Sequence, residues 1–273
     1  MTDQVETTEV RFPFGRNWQR FLEVVGEEHI AGAQRSLERM TGPLAGATFL
    51  DIGSGSGLSS LSAVRLGASR VHSFDFDPHS VACTAEMKRR FAPQAAHWTV
   101  EQGSALDRDY LQRLGQWDVV YSWGVLHHSG QMWPALENVA GLTKPGGTLY
   151  VTIYNDQGGV SRRWGVVKRL YNSGQPGKVL VSAAFIPFFV ARGLAQDVVH
   201  GVNPLVRYHN YKRDRGMTLL YDWFDWLGGY PFEVAKPEEI FNFYRDKGFE
   251  LRQLITKGAG SGCNEFVFTR RIQ

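Results

Sequence analysis

Cysteine is scarce in this sequence: Cys83 and Cys263 stand far apart, and neither belongs to a CxxC pair. That spacing excludes a cysteine-rich zinc site and a disulfide framework, and it fits a reducing compartment. Metal-ligand patterns such as HExxH are missing too, so no metal is expected. Long apolar runs are absent. The longest uncharged one, Val179–Ala191, is too short to cross a bilayer and contains Pro187. No sign of charge dominates: a net +3 at pH 7 permits an anionic partner without demanding one. Nucleic-acid binders concentrate their charge more than this, so nucleic acid is not an expected partner. The opening MTDQVETTEV lacks the charged-then-apolar build of a signal peptide, and no repeats or low-complexity segments occur. The expectation is a soluble, cytoplasmic protein.

What is present is an alternation of short β-rich runs and helical patterns, the mark of a parallel sheet with helices on both faces. Ala47–Asp51, Arg70–Asp75, His97–Glu101, Trp117–Trp123 and Thr148–Tyr154 read as five strands. Helices are expected over Leu58–Leu66, Pro78–Phe91 (with Pro78 in its first turn) and Pro134–Leu142. Lys144–Gly147 reads as a turn. Later, Pro237–Asp246 reads as a helix, followed by Phe249–Ile255 and Glu265–Arg270 as a hairpin at one sheet edge. The expected fold is a Rossmann-like, doubly wound α/β sheet of seven strands with an antiparallel edge strand.

One domain is expected, in four parts: an N-terminal helical segment over 1–45, a core over 46–154, an inserted helical cap over 155–236, and a final helix and hairpin over 237–273. The insert is far longer than an ordinary connection. It carries helical patterns at Trp164–Asn172 and Val179–Ala195, a basic stretch at Arg207–Arg215 and an aromatic one at Tyr221–Phe232. The aromatic stretch is expected in the cap core. Val179–Ala191 is expected buried there, with an amphipathic contact to a membrane as the alternative.

The sharpest chemical signal is Asp51-Ile52-Gly53-Ser54-Gly55-Ser56-Gly57, placed between a strand and a helix. Glycines there permit positive φ and close ligand approach. A plain tight turn accounts for one or two glycines, hardly for three alternating ones. A dinucleotide loop would read GxGxxG and face a pyrophosphate. Asp51 at the strand tip would repel that group but suits a ligand carrying ammonium and sulfonium charge. Asp75 ends the second strand, where an acidic residue in such folds takes ribose hydroxyls. Phe76 can stack on a base, and Asp77 reads as a helix N-cap before Pro78.

With these residues in view, the chain resembles the class I S-adenosylmethionine-dependent methyltransferases. FLDIGSGSG is similar to their first motif, HSFDFD to the acidic second strand, and GSALD to the loop after the third. WDVVYSWGVLHH and LTKPGGTLYVTIY are similar to the fourth- and fifth-strand motifs. The spelling WGVLHHSG resembles the ubiquinone and menaquinone-biosynthesis enzymes and related small-molecule methyltransferases. The resemblance implies S-adenosylmethionine as donor and S-adenosylhomocysteine as product. It implies donor contacts from Asp51, Gly53, Ser54 and Gly55 at the methionine part and from Asp75 at the ribose. Phe76, Ser104 and Ala105 would surround adenine, with Ser122 and Trp123 beside the sulfonium. The family often has an acidic residue where Ser104 or Ala105 falls.

On the acceptor side stand His127 and His128. Either can take a proton from an attacking hydroxyl, His128 being preferred, or merely hold the loop. Tyr154 and Asn155 at the end of the fifth strand, with Tyr221 and Asp222 from the insert, are candidate acceptor contacts; strand exits also carry such residues simply to turn. YSWG departs from the Asn/Asp-Pro-Pro-Tyr/Phe element of nucleic-acid amino-group methylation, and no Pro-Cys pair supplies a cytosine-C5 thiolate. The expected acceptor is a small or lipid-linked molecule methylated at oxygen. A tRNA or protein acceptor docked through the basic insert is the rival, and donor binding without catalysis a third reading.

Overall fold

The computed structural model describes residues 12, 14–201, 203, 219–258, 260 and 262–272, without the side chains of residues 16, 219–222 and 225. The basic stretch 207–215 lies outside the described residues, as do the side chains of Tyr221 and Asp222.

Seven strands form one sheet: β1 Thr48–Ile52, β2 Arg70–Asp75, β3 Trp98–Gln102, β4 Trp117–Ser122, β5 Thr143–Tyr154, β6 Phe249–Ile255 and β7 Cys263–Arg270. Their order is β3-β2-β1-β4-β5-β7-β6. The first five run parallel, and β7 is antiparallel to both of its neighbours. The antiparallel strand therefore lies one place in from the edge, and β6 takes the edge itself.

Strand periodicity explains the two-sided core, because alternate side chains point to opposite faces. Phe49 faces one way and packs with Val71, Met87 and Trp98. Its neighbours Leu50 and Ile52 face the other way, with Phe74, Val120 and Leu149. The first face is covered by α2 (Glu27–Thr41), α3 (Leu58–Arg65) and α4 (Pro78–Phe91); α5 (Arg108–Leu114) and α6 (Met132–Gly141) cover the second. The amphipathic α1 (Gly15–Val24) packs across α4. Asp77 fastens this arrangement: Oδ1 accepts from the His79 amide as an N-cap, and Oδ2 accepts from the Gly15 amide.

Two local expectations change. Lys144–Gly147 does not end a turn before β5 but sits inside it, as an irregularity where pairing jumps from Trp117↔Thr143 to Val119↔Thr148. The apolar helix of the insert is also longer than its uncharged run. It spans Gln175–Val199 as α8, after α7 (Gly159–Tyr171) and before α9 (Leu219–Gly228) and α10 (Pro237–Asp246). By length and composition α8 is able to cross a membrane.

Helices α7, α8 and α9 share a small core of Tyr171, Val181 and Leu227, surrounded by Trp164, Phe185 and Trp226. Leu227 is fully buried, and Trp223, Phe224 and Trp226 beside it are half-buried. This unit meets the sheet at the C-terminal end of β5: Asn155 pairs with Ala235, and the Tyr154 and Phe232 rings lie 5.3 Å apart.

Candidate functional site

The chain reverses direction across the sheet between β1 and β4, the place where open α/β sheets bind ligands at the strand C-termini. The expected donor residues lie at or just past the C-terminal ends of β1, β2, β3 and β4. The Asp51–Gly57 loop leaves β1 with Gly53, Gly55 and Gly57 at φ +77°, +54° and +78°. Three left-handed positions in alternation are what a side chain would forbid. A Cβ on Gly57 would come within 2.9 Å of the Thr84 Cα, so Gly57→Ala combines backbone strain with a clash against main chain. The expected cost is about 1–3 kcal/mol, read as a fall of several degrees in melting temperature.

A buried carboxylate, Asp51, and a half-buried one, Asp75, stand behind this loop. Asp51 is 2% exposed and accepts from the Ser60 hydroxyl at 2.5 Å; burial pushes its pKa up to about 7, against the Ser60 hydrogen bond and helped by the charge of Asp75. Asp75 accepts from the amides of Gly55 and Asp77, both at 2.9 Å. Burial raises it to about 6 despite those bonds. The loop and the end of β2 are thus tied through Asp75 itself.

The other donor candidates differ in what they offer. Phe76 is 53% and Trp123 50% exposed, two aromatic surfaces just past β2 and β4, the strands on either side of β1. The Ser54 hydroxyl is engaged with Thr84 at 2.9 Å, and its amide donates to the Phe74 carbonyl. Ser122 is fully buried and donates to the Ile52 carbonyl, so its side chain holds β4 against β1. Ser104 accepts from the Leu106 amide, shaping the turn that carries Ala105. Trp18 was not among the sequence candidates. A Cβ on Gly55 would come within 2.9 Å of its indole nitrogen, so α1 lays this ring over the glycine loop. A tryptophan on an amphipathic helix gave no sign of which loop it would meet.

On the acceptor side a short 3₁₀ turn, Leu126–His128, follows β4. His127 is fully buried, with ring centroids 4.1 Å from Tyr154 and 4.5 Å from His128. Burial holds its pKa well below the ordinary histidine value. His128 is half-buried beneath Phe14, with its Nδ1 2.6 Å from the Pro231 carbonyl oxygen. A carbonyl only accepts, so this contact fixes the proton on Nδ1 and leaves Nε2 as an acceptor. Burial pushes the His128 pKa down to about 3, opposed by the Pro231 bond.

Tyr154 closes over His127, whereas Asn155 is occupied structurally. The Asn155 amide group donates to the Gly258 carbonyl and its oxygen accepts from Asn264, clasping the β6–β7 loop. Both residues line a small cavity with Gln157, Ser161, Trp164 and Lys168. Lys168 is 1% exposed, donates to the Trp226 carbonyl and lies 4.9 Å from the Phe232 ring centroid. This buried cation went unnoticed in the sequence, where it looks like any helix-surface lysine.

Residues 50–149 match the family model described as a methyltransferase domain. Solved structures agree in fold. An O-methyltransferase family protein from Burkholderia thailandensis superposes with a TM-score of 0.54 at 15% identity, over 89% of this chain and 57% of that one. Magnesium protoporphyrin IX methyltransferase from Synechocystis with bound S-adenosylhomocysteine gives 0.52 at 14% identity, over 93% and 94%. The N-methyltransferase NodS from Bradyrhizobium japonicum, in complex with the same product, gives 0.53 at 13%, over 94% and 98%. Residues 50–149 therefore read as a methyltransferase domain, in a chain that shares the fold of these methyltransferases. In sequence, it is similar to the ribosomal protein L11 methyltransferase of Bacillus cereus, 42% identical over 73 residues. That match spans 27% of this chain and 22% of the relative's length.

Proposed function

We propose that this protein transfers a methyl group from S-adenosylmethionine to a small-molecule or lipid-linked acceptor at an oxygen atom. The observation that carries the donor half is the left-handed glycine loop with one buried and one half-buried carboxylate behind it, Asp51 and Asp75, at the sheet's reversal point. Such a pair suits a ligand with a cationic amino-acid end and a ribose, and would reject a pyrophosphate. Asp51 and the backbone of Gly53, Ser54 and Gly55 hold the methionine part. Asp75 takes the ribose, Phe76 and Ala105 flank the base, and Ser122 and Trp123 bound the sulfonium side.

The bound donor supplies an electrophilic methyl carbon, whose bond to sulfur breaks as the acceptor oxygen bonds to it. The chain's own work is alignment and exclusion of water, which account for most of the acceleration in such displacements. His128 offers Nε2 to the acceptor hydroxyl and accepts its proton as the new bond forms. Because its pKa lies near 3, His128 is neutral at every physiological pH, and the rate has no limb near 6.5 on its account. His128→Ala is expected to lower kcat about a hundredfold with donor affinity unchanged. Wild-type turnover in His128→Ala, and separately in His127→Ala, would remove the base from the mechanism.

The acceptor class is tested with methyl-labelled donor and a cell extract. Label in the organic phase or in the small-molecule aqueous fraction supports the reading; label confined to RNA or protein overturns it.

A further inference from the structure

The longest helix of the insert leaves an apolar face uncovered. Sequence analysis placed it in the cap core, yet only Gly177, Val181, Gly193 and Asp197 of α8 are buried. Leu180, Phe188, Leu194 and Val198 are 61%, 54%, 41% and 76% exposed. With the exposed Ala184, Ala191 and Ala195 between them, they recur at three- and four-residue steps. Such steps trace one continuous stripe, about 27 Å long at 1.5 Å per residue. The neighbouring α7 also exposes Val166, at 69%, and Leu170, at 42%.

The charge beside this stripe has one sign. Helices α7 and α8 together carry Arg162, Arg163, Lys168, Arg169, Lys178 and Arg192 against a single acid, Asp197, which is buried. Apart from Lys168 these cations are exposed or half-buried. An apolar ridge on two helices that carry cations and no exposed acid of their own matches the interface of an anionic bilayer. A second copy of this chain would bring the same cations face to face, which disfavours self-association.

Although α8 is long enough to cross a membrane, its packing keeps it in plane. Its opposite face is held by the domain: the Phe185 ring lies 5.3 Å from Trp164, and Phe189 lies 5.5 Å from Trp226. Gly177 is pressed so closely on the Leu170 carbonyl that a Cβ there would come within 2.1 Å of the oxygen. A helix packed in this way presents one side to lipid and cannot be surrounded by it.

Position adds a functional argument. A cleft of about 330 Å³ opens along α7, lined by Arg162, Val166 and Arg169 on one side and by Tyr230, Pro231 and Glu233 on the other. Pro231 is the residue whose carbonyl holds His128. The lipid-facing side of the cap therefore adjoins the segment that covers the acceptor side of the site.

We infer that α7 and α8 dock this protein peripherally on an anionic lipid surface, with the apolar stripe of α8 seated among the acyl chains and the arginines at the headgroups. This inference goes beyond the methyl-transfer reading and does not rest on it. The test is co-sedimentation of the full chain with phosphatidylcholine vesicles and with vesicles containing phosphatidylglycerol. Binding is expected to the second, at least ten times more strongly than to the first, and to weaken with salt. Leu180→Glu with Phe188→Glu should lower binding about tenfold or more, and these exposed positions leave the melting temperature unchanged. Arg162→Glu with Arg192→Glu should erase the preference for the anionic vesicles. No binding to either vesicle overturns the inference. So does a dimer in sedimentation velocity that Phe188→Glu turns into monomer. Calorimetry with S-adenosylhomocysteine on the same preparations reports the donor site separately, so a failure of one reading is not mistaken for a failure of the other.

Discussion

Asp75→Ala is expected to weaken S-adenosylhomocysteine binding about a hundredfold while the domain still folds. A carboxylate that takes two ribose hydroxyls makes charge-assisted hydrogen bonds, each contributing about 1.5–3 kcal/mol, so losing both costs at least two orders of magnitude. Alanine also releases the Gly55 and Asp77 amides, which Asp75 now holds at 2.9 Å. Part of the loss would then come from a loosened glycine loop. Asp75→Asn separates the two contributions only in part: the Gly55 and Asp77 amides donate to different oxygens of Asp75, so the single amide oxygen keeps one of these bonds, loses the other and carries no charge. The asparagine variant should melt between wild type and Asp75→Ala and bind the product with intermediate affinity. Calorimetry showing unchanged affinity in Asp75→Ala would remove Asp75 from the donor site.

The donor loop was legible because its signal is local. Alternating glycines after a β-run demand positive φ wherever the chain leads, and all three adopt it. Pro78–Phe91, Pro237–Asp246 and Phe249–Ile255 took the boundaries read from caps and periodicity. By contrast, α5 has only seven residues, less than two turns and too few for a periodic pattern. Lys144–Gly147 carries every mark of a turn, yet the neighbouring strand accommodates it as an irregularity in pairing. Composition also could not say which side of α8 finds partners: its apolar residues suffice for burial, and the fold covers only one face. Trp18, Phe14 and Lys168 were missed for a related reason. Their places depend on contacts between distant segments, such as the Phe14 and His128 rings 4.9 Å apart, and nothing in the local spelling encodes them.

Donor affinity is expected to rise steeply with pH between about 5 and 8. Asp51 at about 7 and Asp75 at about 6 are both raised by burial, so in the free protein they hold protons that ordinary carboxylates have lost. The sign for stability follows: the folded state binds more protons than the unfolded one above pH 4, so these two groups lower stability as pH rises from about 4 to about 7. A ligand with an ammonium group favours ionised Asp51, and ribose hydroxyls donate best to ionised Asp75. Binding must therefore release protons below their pKa values, and affinity climbs as pH makes that release unnecessary. At pH 5, two units below the Asp51 value, the cost of ionising it alone is about a hundredfold in affinity. Calorimetry with S-adenosylhomocysteine in buffers of different ionisation enthalpy should show proton release near pH 6 that vanishes above pH 8. The melting-temperature gain from the ligand should be larger at pH 8 than at pH 5. Asp51→Asn should flatten most of the profile, since the amide offers the same shape with no proton to lose. A flat profile in the wild-type protein would mean that neither carboxylate meets the donor's polar groups, and the charge argument for the glycine loop would fall with it.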